Sequence, residues 1–486
     1  MQSKMLTVNK KDFFSILVGL FLLIILQILY LIVPDKSKPQ ICIIIATITA
    51  LYFSIKSLKD FKNRYILFCF DLTYFLFLIS GLLINIYSYS TMKAYLSVSD
   101  EAIIHTCLCI AVSLITINIV YFSLKTPKSL KQSEKIENHY QEINSLKQII
   151  TILFFVSMIG KFVESWMIFS LSSSLGYSES YTISVNLPVY LSAPSAAFYL
   201  LFCLWLAMKP KKKEFVFPII VVLIIETLIL FSGDRSEPMS VILMLSYYLF
   251  VRRNNEDFYK IRKKQIVLIV IASICFIYLL QYISFSRDHN EMTVTNNFIF
   301  DFFNKQGISA AVIGKGYDLK EQIAGIGGHH YSLGALLNYL SQNVISRMLF
   351  GIDRIKLNSV EAATSGNSYG STMAYIRFKS AYLSGVGCGT SFVAELYHDG
   401  GMLLLIIGSA LIAVLLHYIY VNKINRVVHK TYITEAIALL IFKNIITLPR
   451  NGCFSWLASS FSVQNILILG VIVIIQNSCK KHKRIG

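Results

Sequence analysis

Long apolar runs separated by short polar stretches recur along this chain from end to end. A helix needs about 20 mostly apolar residues to cross about 30 Å of hydrocarbon. By that measure the pattern predicts about twelve transmembrane helices, at residues 13–33, 41–55, 65–87, 102–122, 149–170, 187–208, 215–231, 238–251, 265–282, 402–420, 433–447 and 461–476. The second, eighth and eleventh are short. The first follows Lys4, Lys10 and Lys11, as a secretion signal would, but its apolar core is too long for one and no small-residue cleavage site follows. An uncleaved anchor is expected there. The longest stretch without a span is residues 284–401. Within it, Leu333, Leu336, Leu337, Leu340, Val344 and Met348 recur at three- and four-residue spacing, which makes residues 331–350 one helix with an apolar stripe. Such a helix lies on the membrane surface or covers the bundle. Residues 359–371, rich in Gly, Ser and Thr, read as a mobile loop.

The expected fold class is therefore an all-α polytopic membrane protein with one large extracytoplasmic loop containing amphipathic helices. Residues 1–283 form a nine-helix membrane region, residues 284–401 a lid loop, and residues 402–486 a three-helix region ending in a basic tail.

Composition sharpens this picture. Hydrophobic residues make up 55% of the chain, charged residues only 15%, and the mean hydropathy is +0.60. Soluble domains carry about 25% charged residues, so a soluble enzyme, a disordered chain and a disulfide scaffold are excluded. The net charge of +18 raises the question of nucleic acid, and the location of the charge answers it. Alternate connecting segments, including both ends of the chain, hold 29 basic and 8 acidic residues, whereas residues 284–401 hold 9 of each. Basic residues beside apolar spans on one side are the positive-inside pattern. Both termini are expected in the cytoplasm, and groups such as Lys209, Lys211, Lys212 and Lys213 face anionic lipid headgroups rather than nucleic acid. None of the nine cysteines forms a CxxC pair, so no zinc or redox motif is present. Only Cys388 and Cys453 fall on the outer side.

Ionisable residues inside spans are costly and point to function. Lys161, Glu164, Glu226 and Lys443 interrupt three spans, and the topology puts all four in the outer half of the membrane, where they mark a polar cavity. Lys161 and Glu164, three apart, can neutralise each other on one helix. Glu226 and Lys443 need partners from elsewhere. Asp71 and Glu435 lie nearer the inner face. On the outer side, the turn from Ser232 to Pro238 enters a helix with Ser236 placed to cap it. A helix N-terminus suits an anion, and Arg235 beside it adds a bidentate phosphate donor. Arg287, Arg377 and Arg450 also stand at outer positions, as do Arg347 and Arg354. His329, His330 and His398 lack ligand-like spacing, so no metal site is expected. Glu395 and His398, three apart at the entry to a span, are candidate proton acceptors.

These features together resemble the Wzy-type polymerases of O-antigen and capsular repeat-unit polysaccharides. The resemblance covers nearly the whole chain. It rests on about a dozen spans with both ends inside, on the large outer loop in the C-terminal half, on Gly233-Asp234-Arg235 in a short outer turn, and on the run from Gly389 to Tyr397 leading into the next span. The arginine-x10-glycine spacing of some members is absent: Arg354 to Gly366 and Arg377 to Gly389 each enclose eleven residues. The resemblance implies a GT-C-like helical fold in the bacterial cytoplasmic membrane. It implies a metal-independent glycosyltransferase without a cofactor, acting on undecaprenyl-pyrophosphate-linked oligosaccharide at the outer face, alongside a chain-length regulator. Arg235, Arg287, Arg377 and Arg450 would then hold the pyrophosphate leaving group, and Glu395 or His398 would activate the acceptor hydroxyl.

Two rivals stay open. A flippase of the lipid-linked repeat unit would also need a cationic cavity, although alternating-access carriers are usually built from two related halves and here the loop occurs once. A ligase that transfers finished glycan to another acceptor would share fold and donor.

Overall fold

The computed structural model describes residues 10–124, 144–175, 187–234, 236–252, 298–326, 330–424 and 432–485. Among them every regular element is a helix. That follows from the medium: lipid offers no hydrogen-bond partners, so each span must satisfy its backbone internally. Seven helices are long and apolar enough to cross a membrane: Asp12–Ile32, Asp35–Lys59, Asn63–Ile84, Asp100–Ser123, Leu146–Ser174, Lys212–Phe231 and Phe392–Ile419. The pair Val189–Ala196 and Phe198–Ala207, bent by 51° at its break, makes an eighth if it is one span. Pro194 lies in the first half and cannot donate its backbone hydrogen bond. Gly160 of the neighbouring helix is the close approach that accommodates the bend, since a Cβ there would sit 2.7 Å from the Leu191 carbonyl oxygen.

Three more of the twelve expected spans are helices of lesser apolar length: Ser236–Arg252, Tyr432–Ile445 and the Val463–Gln476 part of Val463–Ile485. The ninth, residues 265–282, lies outside the described residues. Among the described residues, seven helices, or eight spans with the bent pair, are long and apolar enough to cross.

The chain forms two compact units, each assembled from separated segments. Met1–Pro127, Val294–Val421 and Ile445–Trp456 make the first; Lys128–Thr293, Asn422–Asn444 and Leu457–Gly486 make the second. The described part of the long loop thus folds with the first four spans. In that unit Asp12 and Arg64 form a buried ion pair, with the Arg64 guanidinium 4.3 Å over the Phe122 ring. Asp71, fully buried, accepts from Asn118 Nδ2 at 3.2 Å. The loop's Phe298–Gly307 helix docks on the end of the third span. Gly81 and Gly307 permit this, because a Cβ on Gly307 would lie 2.3 Å from the Gly81 nitrogen. Polar contacts then fasten it: Asn85 Nδ2 to Asn304 Oδ1 at 2.8 Å, and the Tyr95 hydroxyl to the Asn304 carbonyl at 2.6 Å. The second unit is centred on a ladder of near-parallel rings, with Phe154 to Trp205 at 5.0 Å, Trp205 to Phe215 at 6.1 Å and Phe215 to Tyr248 at 6.1 Å.

Two loop expectations change. Residues 331–350 are not one helix but two, Tyr331–Gln342 and Val344–Phe350. Asn343 divides them because its side chain serves both ends: Nδ2 donates to the Tyr339 and Leu340 carbonyls, and Oδ1 accepts from the Ser346 N–H at 2.9 Å. The stretch 359–371, expected as a loop, contains the Val360–Thr364 helix and the start of Tyr369–Leu383. Its serines are caps rather than loop residues, with Ser359 accepting from the Ala362 N–H and Ser368 from the Ser371 N–H.

Candidate functional site

In the first unit, the long Phe392–Ile424 helix breaks at Gly400 and Gly401. Gly401 sits at φ 61°, ψ −155°, a conformation that glycine alone adopts readily. The short segment before the break carries Glu395, His398 and Asp399.

Asp399 caps the Tyr331–Gln342 helix from outside it. Its carboxylate accepts from the Tyr331 N–H at 3.2 Å, the Ser332 N–H at 2.7 Å and the Ser332 hydroxyl at 2.6 Å. This places a carboxylate at a helix N-terminus, where the dipole favours it. His398 Nδ1 lies 3.3 Å from Asp399 Oδ1, and its ring packs edge-on against Tyr331 and Tyr369, with centroids at 5.1 and 5.6 Å. With Nδ1–H donating to Asp399, Nε2 is left as the acceptor. An imidazole oriented by a second group is the arrangement that nucleophile activation requires.

Glu395 stands differently. It is 5% exposed. One carboxylate oxygen accepts from the Thr390 hydroxyl at 2.7 Å and the other from the Cys453 N–H at 2.8 Å. A Cβ on Gly452 would lie 2.8 Å from Oε1, so the carboxylate fills that turn. Glu395 therefore ties the Leu448–Arg450 turn to the helix that bears His398. In that turn Arg450 donates to Gln306 Oε1 at 3.3 Å and lies 5.6 Å over the Phe77 ring.

A cationic corner adjoins this centre through Tyr369, whose hydroxyl fills the space beside Gly316. Arg377 Nη1 donates weakly to Cys388 Sγ at 3.5 Å. Lys315 shares the corner: burial, and then the charge of Arg377, hold its ammonium below the ordinary lysine range. Burial pushes the Cys388 thiol up against the pull of both cations. Among the described residues neither Lys315 nor Arg377 forms an ion pair with a carboxylate. Two like charges drawn together in this way make a place for an anion.

The second unit joins Lys161, Glu164, Glu226 and Lys443, with Tyr199 as their hub. Lys161 pairs with Glu164 at 2.9 Å, and Ser195 donates to Glu164. The Tyr199 hydroxyl donates to Glu226 Oε1 at 3.1 Å. Lys443 Nζ lies 3.8 Å over the Tyr199 ring and pairs with Glu237.

Lys315, Tyr199 and Glu237 carry no mark of a site in the sequence, and Asp399 stands there within the candidate run from Glu395 to Gly401 with no role of its own. Glu237 reads there as part of a turn and Tyr199 as one more aromatic in a span; no spacing marks them. Asp399 directly follows His398, and that adjacency was the available signal. Arg235, Arg287 and His329 lie outside the described residues. The helix start beside Arg235 also differs from expectation. Asp234, not Ser236, caps it, accepting from the Ser236 and Glu237 N–H groups at 3.0 and 3.4 Å. The N–H groups expected to meet an anion are engaged by the chain's own carboxylate.

A family model described as O-antigen polysaccharide polymerase Wzy matches residues 13–483. No curated protein and no solved structure matches the chain.

Proposed function

This chain belongs to the O-antigen polysaccharide polymerase family Wzy, and from that premise we propose that it transfers a growing glycan from undecaprenyl pyrophosphate onto a new lipid-linked repeat unit at the outer face of the bacterial cytoplasmic membrane. The observation that carries the assignment of roles is the His398–Asp399 pair. His398 Nε2 takes the proton of the acceptor hydroxyl while its oxygen bonds to the anomeric carbon of the donor. The bond from that carbon to the pyrophosphate oxygen breaks, and undecaprenyl pyrophosphate leaves with the electron pair. Lys315 and Arg377 meet the charge that grows on it, which is the electrostatic task such sites perform. Arg450 is held on the same unit by the Glu395 strap. Glu395 is a positioning residue, since both of its oxygens are engaged. A chain-length regulator would act on the polymer that this reaction extends.

The test is complementation of a deletion strain, read as glycan ladder length per amount of membrane protein. Deletion leaves glycan capped with one repeat unit wherever a ligase can attach it. His398→Ala at normal protein level gives the same profile, since loss of a general base costs about 10²–10⁴ in rate. Asp399→Asn retains the shape but not the charge and gives shortened chains. Long chains from well-expressed His398→Ala would remove His398 from the chemistry. Absence of any surface repeat unit, with lipid-linked units accumulating inside, would make the protein a flippase.

A further inference from the structure

Residues 331–357 leave the His398–Asp399 pair as an arm with two unlike ends. The near end is fixed to protein. Tyr331, Ser332 and Gly334 are buried, and Asn338 donates to the Gly366 carbonyl. Gly334 lies so close to the Asn367 carbonyl oxygen that a Cβ would fall 1.9 Å from it. The far end folds back on the near one, with the Ile355 N–H donating to Gln342 Oε1 at 3.1 Å, and leaves its large apolar side chains open. The Val344–Phe350 helix has no buried residue, and Val344, Met348, Leu349, Phe350 and Leu357 are 49–82% exposed. Ile152, Leu403 and Leu411, on helices long and apolar enough to cross the membrane, are likewise 63–71% exposed.

The depth of the arm follows from its attachment. Past the break at Gly400 and Gly401, residues 402–419 of the span run about 27 Å at 1.5 Å per residue, close to the core of about 30 Å. The polar segment from Glu395 to Gly401 lies ahead of this apolar run. Asp399, which holds the root of the arm, is therefore at headgroup level. The charges agree: Arg347, Arg354 and Lys356 outnumber the single acid Asp353 in residues 344–357, as suits lipid phosphates.

We infer that the far half of this arm, residues 344–357, is embedded in the bilayer leaflet on its own side of the membrane, with Met348, Phe350 and Leu357 among acyl chains and Arg354 and Lys356 at the phosphates. The arm then fixes the depth of Tyr331 and Ser332, whose N–H groups grip Asp399, and so sets His398 at the level of the headgroups. The embedding stands whether or not His398 is the base.

The test uses the full chain in lipid nanodiscs, with native cysteines replaced and a single Met348→Cys or Leu357→Cys carrying an environment-sensitive fluorophore. The expected result is quenching several-fold stronger by phospholipid spin-labelled in its acyl chains than by aqueous iodide. Stronger quenching by iodide would put the arm in water and overturn the inference. Protection from both quenchers would put it under protein, a second copy or a partner, and overturn it equally. A second measurement needs no substitution. Lipid bearing a photoreactive group in its acyl chain should modify the 344–357 peptide of the unaltered protein, read by mass spectrometry. Modification of the 402–419 span without modification of that peptide would count against the inference.

Discussion

Glu395 accepts hydrogen bonds from two donors of unlike adaptability: the Thr390 hydroxyl can rotate, and the Cys453 backbone N–H cannot. Glutamine fits this frame. Its carbonyl oxygen can face Cys453 while its amide donates to the Thr390 oxygen, so Glu395→Gln should cost about 1 kcal/mol of stability and keep most of the activity per molecule. Alanine leaves both donors without the carboxylate, at about 2–4 kcal/mol in all, and should lower the amount of protein in the membrane. Ladder length and protein level, measured together, separate the two effects. A well-expressed Glu395→Gln chain that makes no polymer would return the role of base to Glu395. The residue is visible in the sequence as an acid at the entry to a span. Its duty as a strap is not, because Cys453 is 58 positions away.

The intramembrane charges act between elements. Lys443, 3% exposed in the Tyr432–Ile445 helix, pairs with Glu237 in the first turn of Ser236–Arg252, and 206 residues separate them. Removing one partner of a buried pair strands the other charge, at about 3–5 kcal/mol. Lys443→Met and Glu237→Gln should each lower the thermal unfolding midpoint of the detergent-solubilised protein, and the double variant should recover most of the loss. Additive losses would show that the two helices are not joined by this pair. Sequence pattern locates both helices but not their join. Periodicity is equally blind to caps, and so residues 331–350 read as one helix where Asn343 makes two. It also passes over Pro194, which bends a run of unbroken hydrophobicity.

Across the whole molecule, the topology we propose from the distribution of basic residues places residues 284–401 outside. Single cysteines placed at exposed positions there outside the arm, such as Glu361→Cys or Lys379→Cys in a background without native cysteines, should react with a membrane-impermeant thiol reagent in intact cells. Labelling only after lysis would reverse the topology and move the His398 centre to the inner face. The sequence by itself determined the class of molecule, the helices of its long apolar runs and its family. These are legible because lipid forces each span to satisfy its own backbone, so a local composition suffices to specify a local structure. It also marked the intramembrane charges, since a charge in an apolar run stands out wherever it is going to pair. Only the tertiary structure decided which partner each charge takes, that Asp399 orients His398, that Lys315 stands with Arg377, and that two compact units are each assembled from separated segments. Thr73 donates to the Ile446 carbonyl across 373 residues. Contacts of that reach depend on how helices pack against one another, and the order of residues within any one helix does not encode them.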